Sequence, residues 1–183
     1  MFLVIEGLDG SGKDTQIELL RKKHSFTYFK YPTPGNKRLR AYLEKKENIA
    51  GSELVDLFLD DIYAEQEQLA AKKGLVIADR YVYSTIAYEA HLVDFEEIQR
   101  RIELKGFIKP DKVILLDLPA SVSYERKKKQ KMLDRYEEDV AYLEGVRQNF
   151  LRLYRDRYLA KKWVKIDASK SINEVNKEIL KLL

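Results

Sequence analysis

The sequence contains no cysteine in 183 residues. Disulfides and thiolate metal sites are therefore excluded, and the composition suits a reducing compartment, so the expected location is the cytoplasm. No apolar run approaches the roughly 18 residues that a membrane span requires. The apolar opening Phe2-Leu3-Val4-Ile5 has no basic stretch before it and is expected to form a strand rather than a signal peptide. Histidine occurs only at His24 and His91, both expected within helices in surface or packing roles. Charge of one sign is also scarce: 34 basic residues stand against 30 acidic ones, a net +4. Without a basic face such an excess does not indicate a nucleic-acid partner. The 12 tyrosines are scattered, which argues against a stacking platform for bases.

What is present is the composition of one soluble globular domain, 45% hydrophobic and 35% charged, expected to span 1–183. Short unalternating apolar runs at 2–5, 75–78 and 113–118 read as strands covered on both faces, joined by shorter runs at 26–31 and 163–166. Leu54, Val55, Phe58, Ile62 and Leu69 recur at helical spacing. Val140, Leu143, Phe150, Leu151, Tyr154 and Tyr158 line one face of a helix expected over 138–159. Ser171 is placed as the N-cap of a last helix bearing Ile172, Val175 and Ile179. This alternation predicts an α/β fold with a parallel five-stranded sheet and helices on both faces.

Gly7-Leu8-Asp9-Gly10-Ser11-Gly12-Lys13 fits G-x-x-x-x-G-K, a P-loop, and stands between a strand and a helix as that motif requires. Glycines at 7, 10 and 12 let the backbone curl so that successive N–H groups face phosphate oxygens. The helix that follows adds its N-terminal partial charge. Lys13 then bridges the β- and γ-phosphates of a nucleoside triphosphate. One position departs from the motif: Asp14 stands where Ser or Thr is usual, and Thr15 follows. Aspartate ligates Mg²⁺, so two dispositions stay open. Asp14 is a direct metal ligand, or it turns outward and the metal is held by water and other carboxylates.

A second motif, Asp79-Arg80-Tyr81 with Ser84, Ala87 and Tyr88 after it, lies at the C-terminal end of a strand, where open α/β sheets bind ligands. Asp79 is suited to hold metal-bound water, and Arg80 to fork onto an acceptor phosphate. The alternative is a structural Asp79–Arg80 pair at a helix start, with Asp79 as the cap.

Taken in order, these motifs resemble the thymidylate kinases over essentially the full chain. The resemblance continues through Lys109-Pro110-Asp111 and Asp134-Arg135-Tyr136-Glu137 to Ile166-Asp167-Ala168-Ser169. It implies transfer of the ATP γ-phosphate to dTMP with Mg²⁺, a helical lid over about 126–137 and a homodimer. It also implies roles for single residues. Gly7, Gly10, Ser11, Gly12, Lys13, Asp14 and Thr15 would bind ATP, with Ala168 beside the adenine. Arg80 would hold the acceptor phosphate, helped by Lys30 and Arg40. Phe58 would stack on the base, Tyr88 would crowd the sugar 2′ position, and Asp9 would contact the acceptor's sugar. Asp14 and Asp79 would serve the metal.

Two departures bear on the acceptor. The family usually carries an arginine four residues after the stacking phenylalanine, and this chain has Ile62, which cannot donate a hydrogen bond. Thr33 stands where the family often has Glu. A kinase for another nucleoside monophosphate or for a deoxynucleoside therefore stays open, as does a nucleotide-binding regulator without phosphotransfer. Between Glu125 and Arg135 stand six basic and two acidic residues, an excess equal to that of the whole chain. Relatives without a P-loop arginine place a catalytic arginine in the lid. Arg126 and Arg135 are the candidates, since a guanidinium suits the spread charge of a transferring phosphoryl group.

Overall fold

The computed structural model describes residues 1–129, 136 and 139–183. Strands β1 (Phe2–Glu6), β2 (Thr27–Lys30), β3 (Val76–Asp79), β4 (Lys112–Asp117) and β5 (Trp163–Asp167) form one sheet in the order β2-β3-β1-β4-β5. All four pairings are parallel, so the expected architecture is the observed one. Strand alternation divides the core between the two faces. Leu3 and Ile5 of β1 point to one face with Ile77, Ile114 and Leu116, where helices α1 (Lys13–Arg21) and α9 (Ile172–Leu180) pack. Phe2 and Val4 point to the other, covered by α3 (Gly51–Tyr63), α5 (Val82–Glu89), α6 (Phe95–Lys105) and α8 (Val140–Arg155). Leu3, Val4 and Ile5 have no exposed surface. Burying each such side chain contributes about 1.5–3 kcal/mol, which is why β1 tolerates no alternation of polar residues.

The remaining helices are α2 (Lys37–Leu43), α4 (Gln66–Ala71) and α7 (Ala120–Lys128). The periodic run from Leu54 to Leu69 is two helices, because the chain turns at Ala64 and Glu65 between α3 and α4. The helix expected over 138–159 is shorter. Its start is fixed by Asp139, whose side chain accepts from the amides of Ala141 and Tyr142, and it ends before Arg157 and Leu159, which adopt left-handed φ of 50° and 45°. His24 lies beyond the end of α1, exposed, and His91 lies in the turn after α5; neither is helical. Ser171 is the cap expected of it, in a reciprocal capping box with Glu174. Most of the expected lid lies outside the described residues; Arg126 to Lys128 close α7. Among the described residues no helix is long and apolar enough to cross a membrane.

β1 lies between β3 and β4, so the chain moves to opposite sides of β1 in its two halves. The crevice at the C-terminal ends of β1 and β3 is the switch point at which such sheets bind ligands.

Candidate active site

At the end of β1 the chain curls through Gly7 and enters α1 at Lys13, with Gly12 as N-cap in a left-handed conformation (φ 94°). Gly7 has φ 144°, and a Cβ there would lie 2.6 Å from the Leu116 carbonyl oxygen of the neighbouring strand. Only glycine fits. Lys13 is buried, and its Nζ donates to the carbonyls of Gly7 (2.9 Å) and Leu8 (3.0 Å) inside the turn. Ser11 Oγ is buried with no partner among the described residues. Gly10 and Gly12 lie on the same curl, and Asp14 and Thr15 occupy the first turn of α1, both exposed.

Beside this cradle, Lys30 at the end of β2 bridges two carboxylates, 2.9 Å from Asp14 Oδ1 and 3.3 Å from Asp79 Oδ2. Tyr28 also donates to Asp79 Oδ2 (3.3 Å), while Asp79 Oδ1 is buried without a partner among the described residues. Partial burial opposes charge on Asp14, but the Lys30 ammonium outweighs it and holds the carboxyl below its ordinary range. Lys30 is thus engaged with Asp14 and Asp79 as well as lining the cavity described below.

Asp79 and Arg80, adjacent in sequence, do not pair with each other. Asp79 ends β3 against Lys30, whereas Arg80 takes a left-handed φ of 69° that turns its guanidinium toward β1. A non-glycine residue held there costs about 1–3 kcal/mol, as is common where function sets the geometry. The helix cap is Tyr81, not Asp79. Arg80 lies 2.7 Å from Asp9 Oδ2, donates to Ser84 Oγ (2.9 Å) and sits 4.9 Å above the Tyr88 ring. Burial disfavours the Asp9 charge, but Arg80 and Lys13 overcome it and hold Asp9 far below the usual carboxylate range. Glu6, fully buried behind them, accepts from the Tyr81 amide (2.8 Å) and from Ser84 Oγ (2.6 Å). Burial pushes its carboxyl up to about 7 against the pull of Arg80.

In front of Arg80 lies an open cavity of about 730 Å³ with its mouth included. Its wall includes the charged Asp9, Lys30 and Arg80 together with Phe58, Ile62, Thr85, Tyr88, Glu89 and Tyr136. Most of the residues assigned to the acceptor therefore come together. Arg40 does not join them. It lies exposed on α2, donates to the Pro34 carbonyl and is absent from the cavity wall. Thr33 has a different employment: its amide and hydroxyl both donate to Asp61 (2.7 Å each), and Asn36 adds a third bond at 3.0 Å, tying the loop after β2 to α3.

Arg126 on α7 donates to the carbonyls of Gly10 and Ala168, each at 3.2 Å. It thereby joins the P-loop to the turn at Ala168, the one expected beside the adenine. Arg135, the second lid candidate, lies outside the described residues.

Sequence reasoning missed Glu89. Its Oε1 accepts from the Tyr136 hydroxyl (2.7 Å), and its Oε2 is buried without a partner among the described residues. The one signal was a carboxylate ending the otherwise apolar run Ile86-Ala87-Tyr88. Burial raises it from 4.5 to about 7, with the Tyr136 bond a smaller opposing effect. Such a group binds more protons folded than unfolded between those values, so stability falls as pH rises through them. Glu89→Gln is therefore expected to remove on the order of 3 kcal/mol of the stability loss between pH 5 and pH 8, measured by urea unfolding at both. Equal pH slopes for the two proteins would refute it.

Comparison with known proteins covers the segment that carries these residues. The family model for thymidylate kinase matches residues 5–179. The chain is 34% identical to a thymidylate kinase of Fervidobacterium nodosum, over all of this chain and 98% of that one. It is 34% identical to probable thymidylate kinase 1 of Saccharolobus solfataricus, over 99% of this chain and 95% of that one. It is 31% identical to a probable thymidylate kinase of Archaeoglobus fulgidus, over all of this chain and 94% of that one.

Proposed function

The chain belongs to the thymidylate kinase family, and from that we propose that it transfers the γ-phosphate of ATP to dTMP, giving ADP and dTDP. One observation carries the reading: Asp9 faces both halves of the site, 2.7 Å from Arg80 of the acceptor cavity and 3.9 Å from Lys13 of the phosphate cradle. A donor phosphate on the P-loop and an acceptor phosphate on Arg80 would therefore meet at one place. Phosphoryl transfer needs little more than such positioning and charge neutralisation. The test is ADP release with ATP and Mg²⁺ across the common nucleoside monophosphates, dTMP expected to give the highest kcat/KM. Strong preference for another base would sink the assignment and favour a different monophosphate kinase, a reading for which Ile62 at the base end is the specific support.

The residues fit Mg²⁺. Among the described residues no three His, Cys, Asp or Glu side chains form a metal cluster, but Mg²⁺ needs only one or two carboxylates beside substrate phosphates and water. Asp79, with Oδ1 buried and unpaired among the described residues, and Asp14 would hold it. When bound, the ion neutralises part of the triphosphate charge. Asp14→Thr removes a negative charge from beside the phosphates. It is expected to tighten metal-free ATP binding and to reduce the gain in affinity that Mg²⁺ brings, measured by calorimetry with and without chelator. An unchanged Mg²⁺ effect would rule out direct ligation by Asp14.

Arg126 anchors the donor side through Gly10 and Ala168, which leaves Arg135 as the lid arginine for the transferring group. Arg126→Ala is expected to raise the KM for ATP several-fold while changing kcat less; the reverse pattern in steady-state kinetics would return Arg126 to the phosphoryl group. The family resemblance also supports a homodimer in the cytoplasm, which sedimentation of the purified protein and fractionation of cells would test.

A further inference from the structure

We propose that Glu6 is a positioning residue for the acceptor phosphate: through Ser84 and the Tyr81 amide it fixes where the Arg80 guanidinium points. The inference rests on the function proposed above and deepens it. Glu6 is the last residue of β1, directly before the P-loop, and has no exposed surface. It is absent from the cavity wall, so it acts through other groups. Burying a carboxylate is costly, and apolar residues of similar size often serve the fold as well. Packing alone therefore does not call for a glutamate here.

Both carboxylate oxygens are committed to the segment that carries Arg80. Oε1 accepts from the Tyr81 amide (2.8 Å) and Oε2 from Ser84 Oγ (2.6 Å), while Ser84 Oγ accepts from Arg80 Nη1 (2.9 Å). The direction of these bonds is forced. A guanidinium has only donors, an ionised carboxylate has only acceptors, and a serine hydroxyl has a single proton. Glu6 takes that proton, which leaves a lone pair of Oγ for Arg80. Nη1 is thereby held by Ser84 and Nη2 by Asp9, at 2.7 Å.

The backbone is held from the same strand. Arg80 has the left-handed φ of 69°, and the amides on both sides of that rotation are tied to β1. The Arg80 amide donates to the Ile5 carbonyl (3.0 Å), and the Tyr81 amide donates to Glu6. One residue further on, β1 enters the phosphate cradle at Gly7. The donor cradle and the acceptor arginine are thus set by consecutive residues of one buried strand. Their separation matters, since a misplacement of about 1 Å between reacting groups can cost about 100-fold in rate.

The experiment compares wild type, Glu6→Gln, Ser84→Ala and the double variant for binding of dTMP and of thymidine by calorimetry, and for the KM of ATP. Glu6→Gln keeps the shape. In one orientation its amide meets the Tyr81 N–H donor to donor, and in the other it withdraws the acceptor that takes the Ser84 proton. Ser84→Ala removes only the link, and serves if the glutamine variant fails to fold. Each variant is expected to bind dTMP about tenfold more weakly, the scale of one charge-assisted hydrogen bond. Thymidine, which lacks the phosphate, should bind as it does to wild type, and the KM for ATP should not change. The double variant should lose no more than the larger single loss, because the two residues act in one chain. Wild-type dTMP affinity in the folded variants would overturn the inference. So would an equal loss for thymidine, since Glu6 would then only support the pocket, or losses that add in the double variant. Failure of wild type to turn over dTMP would sink the proposed function instead; the binding comparison, run with the monophosphate it prefers and the matching nucleoside, still decides the role of Glu6.

Discussion

Lys13→Met is expected to lower kcat by about two to three orders of magnitude, the range found when one preorganised donor to a reacting oxyanion is removed. Methionine preserves most of the buried volume and removes only the ammonium. Lys13 is 6% exposed, and both its backbone contacts lie within the P-loop, at Gly7 and Leu8. Its hydrogen bonds are therefore confined to the cradle, so its loss is expected to act mainly on the donor side. Burial and the neighbouring Arg80 oppose that charge, while Asp9, Asp79 and Glu6 support it. The steady-state signature is a collapse of kcat with a nearly unchanged KM for dTMP. A kcat within tenfold of wild type would show that Lys13 does not act on the transferring phosphoryl group.

Arg80→Leu should have two separable effects. Loss of a forked, charge-assisted contact to the acceptor phosphate is expected to raise the KM for dTMP by about 100-fold, on the scale of charged hydrogen bonds at 1.5–3 kcal/mol each. The second effect concerns folding. Arg80 offsets the carboxylates of Asp9, 2.7 Å away, and of buried Glu6; because Arg80 and Asp9 are only partly buried, its removal is expected to cost less than the about 3–5 kcal/mol of a fully buried pair. Arg80→Lys separates the two. It restores the charge, and hence much of the melting temperature, but not the fork, so the KM should stay high. If Arg80→Lys recovers wild-type KM, a point charge suffices and bidentate recognition is wrong. If Arg80→Leu melts like wild type, the guanidinium is not needed to hold Asp9 and Glu6 in place.

Features whose physics is contiguous were legible in the sequence. The P-loop declares itself in seven consecutive residues because backbone curvature depends on where glycines stand. The three central strands follow from short apolar runs, because a strand buried on both faces leaves few polar positions, whereas the edge strands β2 and β5 carry exposed residues. The cap of α9 follows from Ser171 standing just before the apolar periodicity of Ile172, Val175 and Ile179. Helix ends were less readable: the break at Arg157 and Leu159 is set by left-handed backbone that no glycine announces.

The pairing of charges could be decided only by the tertiary structure, since an ionic or hydrogen-bonding side chain takes whichever partner the packing brings near. Adjacent Asp79 and Arg80 separate, one to Lys30 and the other to Asp9. Arg126 crosses to Ala168, 42 positions away, and Glu89 to Tyr136, 47 positions away. Ile62 and Glu89 reach the same cavity from α3 and α5. The sequence by itself thus determined the fold, the family and the phosphate cradle, whose signals lie within single elements. The chemistry offered to the acceptor base was decided in three dimensions, because it is the sum of side chains from elements that meet only when the core is packed.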